Sequence, residues 1–155
     1  MTAVRVPATS ANLGPGFDAL GMAFSLYCDV GLLGVDEMPE RGAEAESGHP
    51  AQVAFERAGG TGKVWVRNEI PMGWGLGFSG AARIGGIVAA EMQERGPSWS
   101  VTESDALRIG TELEGHADNV AASLYGGVVA TAADRAVRVP VNLDVDYVVW
   151  SPHFT

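Results

Sequence analysis

Residues 71–86 read PMGWGLGFSGAARIGG, and six of these sixteen residues are glycine. The stretch leads directly into an apolar segment of small residues, which predicts a helix over residues 79–95. Clustered glycines let successive backbone N–H groups converge on an anion, and the start of a helix adds unpaired N–H groups and the positive end of its dipole. Two structures therefore remain open here, a tight turn with close helix-on-sheet packing or a phosphate-binding loop.

The glycine loop matches neither of two well-known nucleotide-binding motifs. No Gly-Lys-Ser/Thr sequence follows the glycines, which excludes a Walker A loop. Gly73, Gly75 and Gly77 recur at every second residue, and the acidic partner of a dinucleotide-binding fold is absent from its expected place. Other segments of the chain are needed to distinguish a tight turn from a phosphate-binding loop.

Composition narrows the class of protein. The chain has 155 residues, the length of one domain, with 46% hydrophobic residues, enough for a packed core. A net charge of −9 argues against nucleic acid or an anionic membrane as partner, since both favour basic patches. The single cysteine, Cys28, excludes an internal disulfide and indicates a reducing cytoplasm. We expect neither a signal peptide nor a membrane span.

The order of predicted elements indicates an α+β fold with a mixed sheet and helices packed on one face. Pro7 places the first strand at an edge of the sheet or at a strand end. A polar loop that turns into a helix is expected over residues 9–21, and an exposed charged segment over 36–50. Strands are predicted at 3–8, 22–35 (as one strand or two), 63–68, 127–132, 136–140 and 146–151. Helices are predicted at 51–58, 79–95, 102–114, with cap-like residues at 102–105, and 116–125.

Two further segments carry polar side chains in dense clusters. In TSANLGPGFDALG, residues 9–21, the Asn12 amide and the Asp18 carboxylate could recognise a small molecule with an ammonium or hydroxyl group. In ELEGHADN, residues 112–119, oxygen ligands predominate, which suits Mg²⁺ better than zinc. The alternatives are a turn-rich loop for the first segment and an acidic helix end with a capping residue for the second.

Taken together, PATSANLGPGFDALG, IPMGWGLGFSGAA and EGHADNVAASLYGG resemble, in this order, the three signature regions of the GHMP kinase superfamily. The first and third are most similar to those of its homoserine kinase branch, and the resemblance extends from Val4 to the YVVWSP segment. It implies a fold like domain 2 of ribosomal protein S5, with ATP and Mg²⁺ as cofactors. The implied reaction is phosphoryl transfer from ATP to the hydroxyl of a small amino alcohol, most closely L-homoserine. The alternatives are another small alcohol as substrate, or an ATP-binding half-domain without turnover.

The resemblance also implies roles for individual residues. The glycine loop would bind ATP through Pro71, Gly73, Gly75, Leu76, Gly77, Phe78, Ser79, Gly80 and Ala81. The substrate pocket would be lined by Asn12, Asp18, His116 and Asn119. The catalytic residues would be Asn12, Ser79 and Glu114. Mg²⁺ would be held by Ser79 and Glu114, with Glu112 as the alternative carboxylate.

Two departures from the family pattern bear on activity. The family loop usually reads GLGSS, whereas Phe78 stands here in place of the first hydroxyl. An aromatic residue there would shift metal binding onto Ser79 and the glutamate, or weaken catalysis. Family members also carry a C-terminal domain that supplies substrate-binding arginines. Residues 1–155 would therefore form only the N-terminal ATP-binding domain, acting as a homodimer or with a complementing C-terminal half. Arg83 is expected to face solvent or pair with an acid, with phosphate contact as the alternative.

Overall fold

The computed structural model describes residues 3–100, 105–133, 135–141, 146 and 148. Six strands form one sheet, and every described strand pair is antiparallel. The strands are β1 (Val4–Ala11), β2 (Leu20–Leu32), β3 (Ala43–Glu44), β4 (Val64–Asn68), β5 (Val128–Ala132) and β6 (Arg135–Val139). The described helices are α1 (Pro50–Arg57), α2 (Phe78–Arg95), α3 (Ala106–Glu114) and α4 (Asp118–Tyr125), and a 3₁₀ turn lies at Gly96–Ser98.

The long strand β2 organises the sheet. It pairs with β1 along one edge, and on its other edge its C-terminal half pairs with β4 and its first residues pair with β5. The resulting order is β3-β4-β2-β5-β6, with β1 beside β2. Among the described strands β1 is therefore an edge strand, as Pro7 predicts, and its register shifts between Pro7 and Ala8. An edge position tolerates a proline because no partner strand needs the missing N–H.

The helices cover one face of this sheet, as the element order predicts. α2 packs against β1 and β2, α4 packs against β1, β2 and β5, and α1 lies beside α2. The shared core takes alternate side chains from the strands, since successive residues of a strand point to opposite faces. It includes Val6, Ala8, Cys28, Val30, Val64, Val66, Ile84 and Ile87. Gly85 lets α2 approach the sheet closely, because a Cβ at that position would collide with Val30.

The segment 9–21 differs from its prediction. β1 continues to Ala11 and β2 begins at Leu20, and turns rather than a helix connect them. Asn12 and Asp18 have φ angles of 70° and 52°, a left-handed conformation that interrupts any right-handed helical turn. The next predicted region, 22–35, is a single strand that ends at Leu32. Residues 36–50 are largely exposed, but Asp36 and Ala45 are buried and β3 lies within this segment.

The remaining predictions differ mainly at their ends. Asp105 occupies the N-cap position of α3, but its carboxylate accepts a hydrogen bond from Arg108 at 3.3 Å instead of capping the helix. The predicted cap residues 102–104 lie outside the described residues, as does the strand predicted at 146–151 apart from Asp146 and Val148. Within the described part of the chain, no helix has both the length and the apolar character that a membrane crossing requires.

Candidate functional site

Thr9, near the end of β1, connects the three segments of the family resemblance. Its N–H donates to the carbonyl oxygen of Leu76 at 3.1 Å, which ties β1 to the glycine loop. Its hydroxyl donates to Oδ1 of Asn119 at 2.8 Å, which ties β1 to the first turn of α4. The Thr9 side chain is fully buried, so water does not compete for these bonds. Segments more than a hundred residues apart in sequence therefore meet at one point.

Gly77 lies directly against Thr9, at the N-cap position of α2. Its φ angle is 69°, a left-handed conformation that side chains with a Cβ rarely adopt. An added Cβ would also collide with the Thr9 hydroxyl. Glycine is thus required here both by the backbone conformation and by the close approach of β1.

The N-terminus of α2 presents unpaired backbone donors. The helix has no side-chain cap, and its first backbone bond runs from the N–H of Ala81 to the carbonyl oxygen of Gly77 at 2.9 Å. No described residue accepts a hydrogen bond from the N–H groups of Phe78, Ser79 and Gly80. These donors and the positive end of the helix dipole together favour an anion at this position.

The side chain of Phe78, which stands in place of a hydroxyl residue of the family pattern, packs into the protein. It packs against the core, and its ring meets the imidazole of His49 edge-on, with centroids 5.8 Å apart. His49 in turn caps α1, since its Nδ1 accepts the N–H of Ala51 at 3.1 Å. Burial lowers the pKa of His49. Phe78 therefore links the starts of α1 and α2, and its predicted contact with ATP stays a prediction.

Ser79 and Glu114, the predicted metal ligands, lie in contact. The Ser79 hydroxyl donates to Oε2 of Glu114 at 3.2 Å. Arg83, one turn further along α2, donates to Ser79 Oγ and forms an ion pair with the same Oε2. Both charged side chains are largely buried, with 23% of Arg83 and 15% of Glu114 exposed. Burial lowers the pKa of Arg83. The expectation that Arg83 pairs with an acid is thus the one that the geometry bears out.

The other candidate carboxylate, Glu112, lies elsewhere. It accepts hydrogen bonds from Arg57 at 3.1 Å and from Arg108 at 2.8 Å on an exposed face of α3. No described bond connects it to Ser79 or to the glycine loop. Of the two glutamates, the geometry therefore favours Glu114 as the one that acts at this site.

The residues present do not fit Mg²⁺ as an ion held by the protein in this arrangement. Mg²⁺ demands near-octahedral oxygen coordination, usually from one or two carboxylates together with substrate phosphates and water. In the part of the chain that the structure describes, no group of three or more His, Cys, Asp or Glu side chains could hold a metal ion, so Mg²⁺ at this site would depend on Ser79 and Glu114. Ser79 and Glu114 are both already bonded to the guanidinium of Arg83.

Of the four predicted substrate residues, Asn12 and Asp18 are bonded to each other, whereas His116 and Asn119 are each held by a different neighbour. Asn12 Oδ1 accepts the N–H of Asp18 at 3.0 Å, which closes the loop and leaves the Asp18 carboxylate exposed. His116 contacts buried Asp118 through Nδ1 at 3.2 Å, while Asn119 is held by Thr9. Among the described residues, no hydrogen bond or ion pair joins Asn12 or Asp18 to His116 or Asn119. Asn119 is connected to the first segment through the Thr9 bond, and the substrate roles of all four residues stay predictions.

Sequence reasoning missed one contributor to this site, Thr9, and left the acid partner of Arg83 unidentified. Thr9 stands in the first polar cluster but was not among the predicted site residues, because a threonine at a strand end has no distinctive pattern. For Arg83 the sequence predicts a solvent-facing position or an acid partner, with phosphate contact as the alternative, and it does not identify Glu114 as that acid. The position of Arg83 four residues after Ser79 was the available signal, since residues four apart lie on the same face of a helix.

Comparison with known proteins identifies the family of the chain. The family model of the GHMP kinases N terminal domain matches residues 43–127, more than half of the chain. The homoserine kinase of Carboxydothermus hydrogenoformans is 42% identical over 174 residues, covering 99% of this chain and 56% of that protein. The homoserine kinase of Streptomyces coelicolor is 40% identical over 168 residues, covering 96% of this chain and 54% of that protein. The chain thus spans about half the length of the curated relatives that it matches.

Solved structures give the same result for the fold. The crystal structure of the homoserine kinase from Cytophaga hutchinsonii matches with a TM-score of 0.66 and 25% identity, over 91% of this chain and 53% of that one. The mevalonate kinase of Methanococcus jannaschii, at 15% identity, shares the fold with a TM-score of 0.60, over 90% of this chain and 56% of that one. The predicted fold class is confirmed. By its family match and its architecture, the chain belongs to the GHMP kinases and contains their N-terminal domain.

Proposed function

We propose that this chain is the ATP-binding part of a cytoplasmic kinase that converts L-homoserine to O-phospho-L-homoserine, a step of threonine biosynthesis. The observation that carries the proposal is the unpaired set of N–H groups at Phe78, Ser79 and Gly80, placed where the glycine loop meets α2. The similarity to homoserine kinases at 40–42% identity supports the choice of substrate. We place the ATP phosphates on these N–H groups.

The site meets the main requirement of phosphoryl transfer, which depends on positioning and on neutralising charge. Backbone donors of the loop and the positive charge of Arg83 face the same region as Ser79. In this proposal the exposed Asp18 carboxylate receives the α-ammonium group of the substrate through a charge-assisted bond. Asn12, whose oxygen is held by Asp18, keeps its amide N–H₂ group to orient the substrate hydroxyl. Mg²⁺ stays an expectation from the family resemblance, and no step above depends on it.

The carboxylate of homoserine needs a cation that these segments do not offer. Among the described residues near the motifs, Arg5 is paired with Asp29 and Arg108 with Asp105 and Glu112. Arg83, which is paired with Glu114, contacts Ser79 beside the proposed phosphate site and has no described bond to the predicted substrate residues. We therefore propose that a second half, corresponding to the part of the relatives beyond the matched region, completes the substrate pocket. A second copy of this chain is the alternative.

The ATP site is tested by Gly77→Val in the 155-residue chain. A side chain at this position conflicts with both the φ angle and Thr9, so ATP should bind about tenfold to a hundredfold more weakly, a loss of ~1–3 kcal/mol. Gly59→Val is the matched control, because Gly59 also has a positive φ of 89° with open space around it, but lies after α1. Calorimetric titration with ATP measures the affinity, and circular dichroism checks folding. Unchanged affinity in folded Gly77→Val would remove the phosphate-loop assignment.

The reaction is tested by ADP release with L-homoserine. The 155-residue chain alone should show little turnover, and adding the C-terminal half of the Carboxydothermus hydrogenoformans relative should restore it. Asp18→Asn in the restored system should raise KM for homoserine more than it lowers kcat, because Asp18 is assigned to binding. Robust turnover by the chain alone would show that the pocket is already complete. Turnover with another alcohol only, or ATP binding without any turnover, would favour one of the alternative functions.

A further inference from the structure

A guanidinium group bonds both side chains that the family resemblance assigns to a metal ion. Arg83 bonds both the Ser79 hydroxyl and the Glu114 carboxylate, the two side chains assigned to metal binding. Ser79 lies in the first turn of α2, so this contact is next to the free N–H groups of Phe78, Ser79 and Gly80. The positive charge at this point thus belongs to the protein itself.

The arrangement leaves Arg83 able to take another acceptor. A guanidinium carries five N–H donors in a rigid planar fork that matches phosphate oxygens. Of these donors, only those on Nη1 have a described partner, and 23% of the side chain is exposed. An arginine that is merely structural would be expected to spend more of its donors on the protein, as Arg5 does when it bonds both oxygens of Asp29.

We propose that Arg83 is the fixed cation of the nucleotide site, holding Glu114 in the place of a divalent metal and donating its remaining N–H groups to the nucleotide phosphates. This inference rests on the proposed ATP binding. It extends that proposal by assigning the neutralising charge to a residue of the chain. Nucleotide binding then requires no divalent cation.

The test compares ATP affinity in EDTA with ATP affinity in MgCl₂, using calorimetry on the 155-residue chain. The wild type should bind ATP with similar affinity in both buffers. Arg83→Met should lose about tenfold or more in EDTA, since a charge-assisted contact disappears. Arg83→Lys should retain part of the affinity, because it keeps the charge without the planar fork. Arg57→Met is the matched control, since it removes the same charge from the exposed pair with Glu112.

The outcomes separate this inference from the proposed function. Wild-type binding that requires Mg²⁺, or an Arg83→Met affinity in EDTA equal to that of Arg57→Met, would overturn the inference while leaving ATP binding intact. If ATP binds in neither buffer, the proposed function fails for this chain, and Mn²⁺ binding followed by electron paramagnetic resonance decides the inference alone. The wild type should bind no Mn²⁺, and Arg83→Met should gain a site that Glu114→Gln removes again. A Glu114-dependent Mn²⁺ site in the wild type, or none in Arg83→Met, would contradict it.

Discussion

At the scale of single residues, Thr9 does most to assemble the site. Its backbone holds the glycine loop through Leu76, and its hydroxyl holds Asn119 at the start of α4. The Thr9 side chain is fully buried and Asn119 is partly buried, so this hydrogen bond is sheltered from competition by water. The position of Asn119 therefore depends on an atom in a segment 110 residues away.

Thr9→Val should destabilise the protein by ~1–3 kcal/mol, because it keeps the shape of the side chain but leaves the Asn119 oxygen unpaired. Thr9→Ser keeps the hydroxyl and removes one buried methyl group, so it should cost only about 1 kcal/mol. Urea unfolding measures both changes. ATP affinity should fall in folded Thr9→Val and stay near the wild-type value in Thr9→Ser. Equal ATP affinity in the two variants would show that the hydroxyl does not position the site.

Single side chains were also the least predictable level from the sequence. The motifs name Ser79 and Glu114, but they do not show that Arg83 joins them, since that depends on how α2 faces the end of α3. Thr9 has no sequence signature, because any polar residue at a strand end gives the same pattern. Residues in a motif are visible in the sequence, whereas the residues that hold them are set by tertiary packing.

At the scale of elements, both structures left open for the glycine stretch are present together. Gly77 provides the left-handed turn beside Thr9, and Gly85 lets α2 approach Val30 of β2. Hydrophobic periodicity and the residues that end helices and strands predicted the bounds of α2 and β4 to within about one residue. The failure lies in residues 9–21, where Asn12 and Asp18 adopt left-handed backbone conformations that only the folded loop selects.

The cap of α1 makes stability depend on pH. His49 Nδ1 accepts the N–H of Ala51 only while that nitrogen is unprotonated, and burial lowers the pKa of His49 below that of a free imidazole, about 6.5. The unfolded chain therefore takes up the proton first. The contribution of His49 is complete above about pH 6.5 and is lost as pH falls through the lower pKa of the folded state.

Unfolding by urea at about pH 7.5 and at about pH 5 measures this dependence. The wild type should lose stability on acidification relative to His49→Asn, because asparagine can cap the helix without titrating in this range. At the higher pH, His49→Ala should cost about 1 kcal/mol as the cap disappears. If the wild type and His49→Asn change in parallel between the two pH values, another group carries the pH dependence.

At the scale of the whole molecule, the sequence predicted the architecture well but the site only in outline. Helices on one face of a sheet followed from the order of elements, and the confirmed fold agrees with the family resemblance. The resemblance also identified the three segments that meet. Their meeting point could not be derived, because it rests on the pairing of β1 with β2 and on contacts such as Thr9 to Asn119 across most of the chain.

The central strand also contains a natural probe of its own opening, the buried thiol of Cys28. Cys28 is the single cysteine of the chain, lies in β2 between partners on β1 and β4, and is fully buried. Burial raises the pKa of its thiol to about 12, so a thiol reagent reacts only when the sheet opens. The labelling rate in native buffer then counts openings of β2, without any introduced probe. A ligand that binds only the closed state lowers the labelling rate of Cys28 in proportion to its occupancy. Ligand affinities can therefore be measured on the unmodified chain.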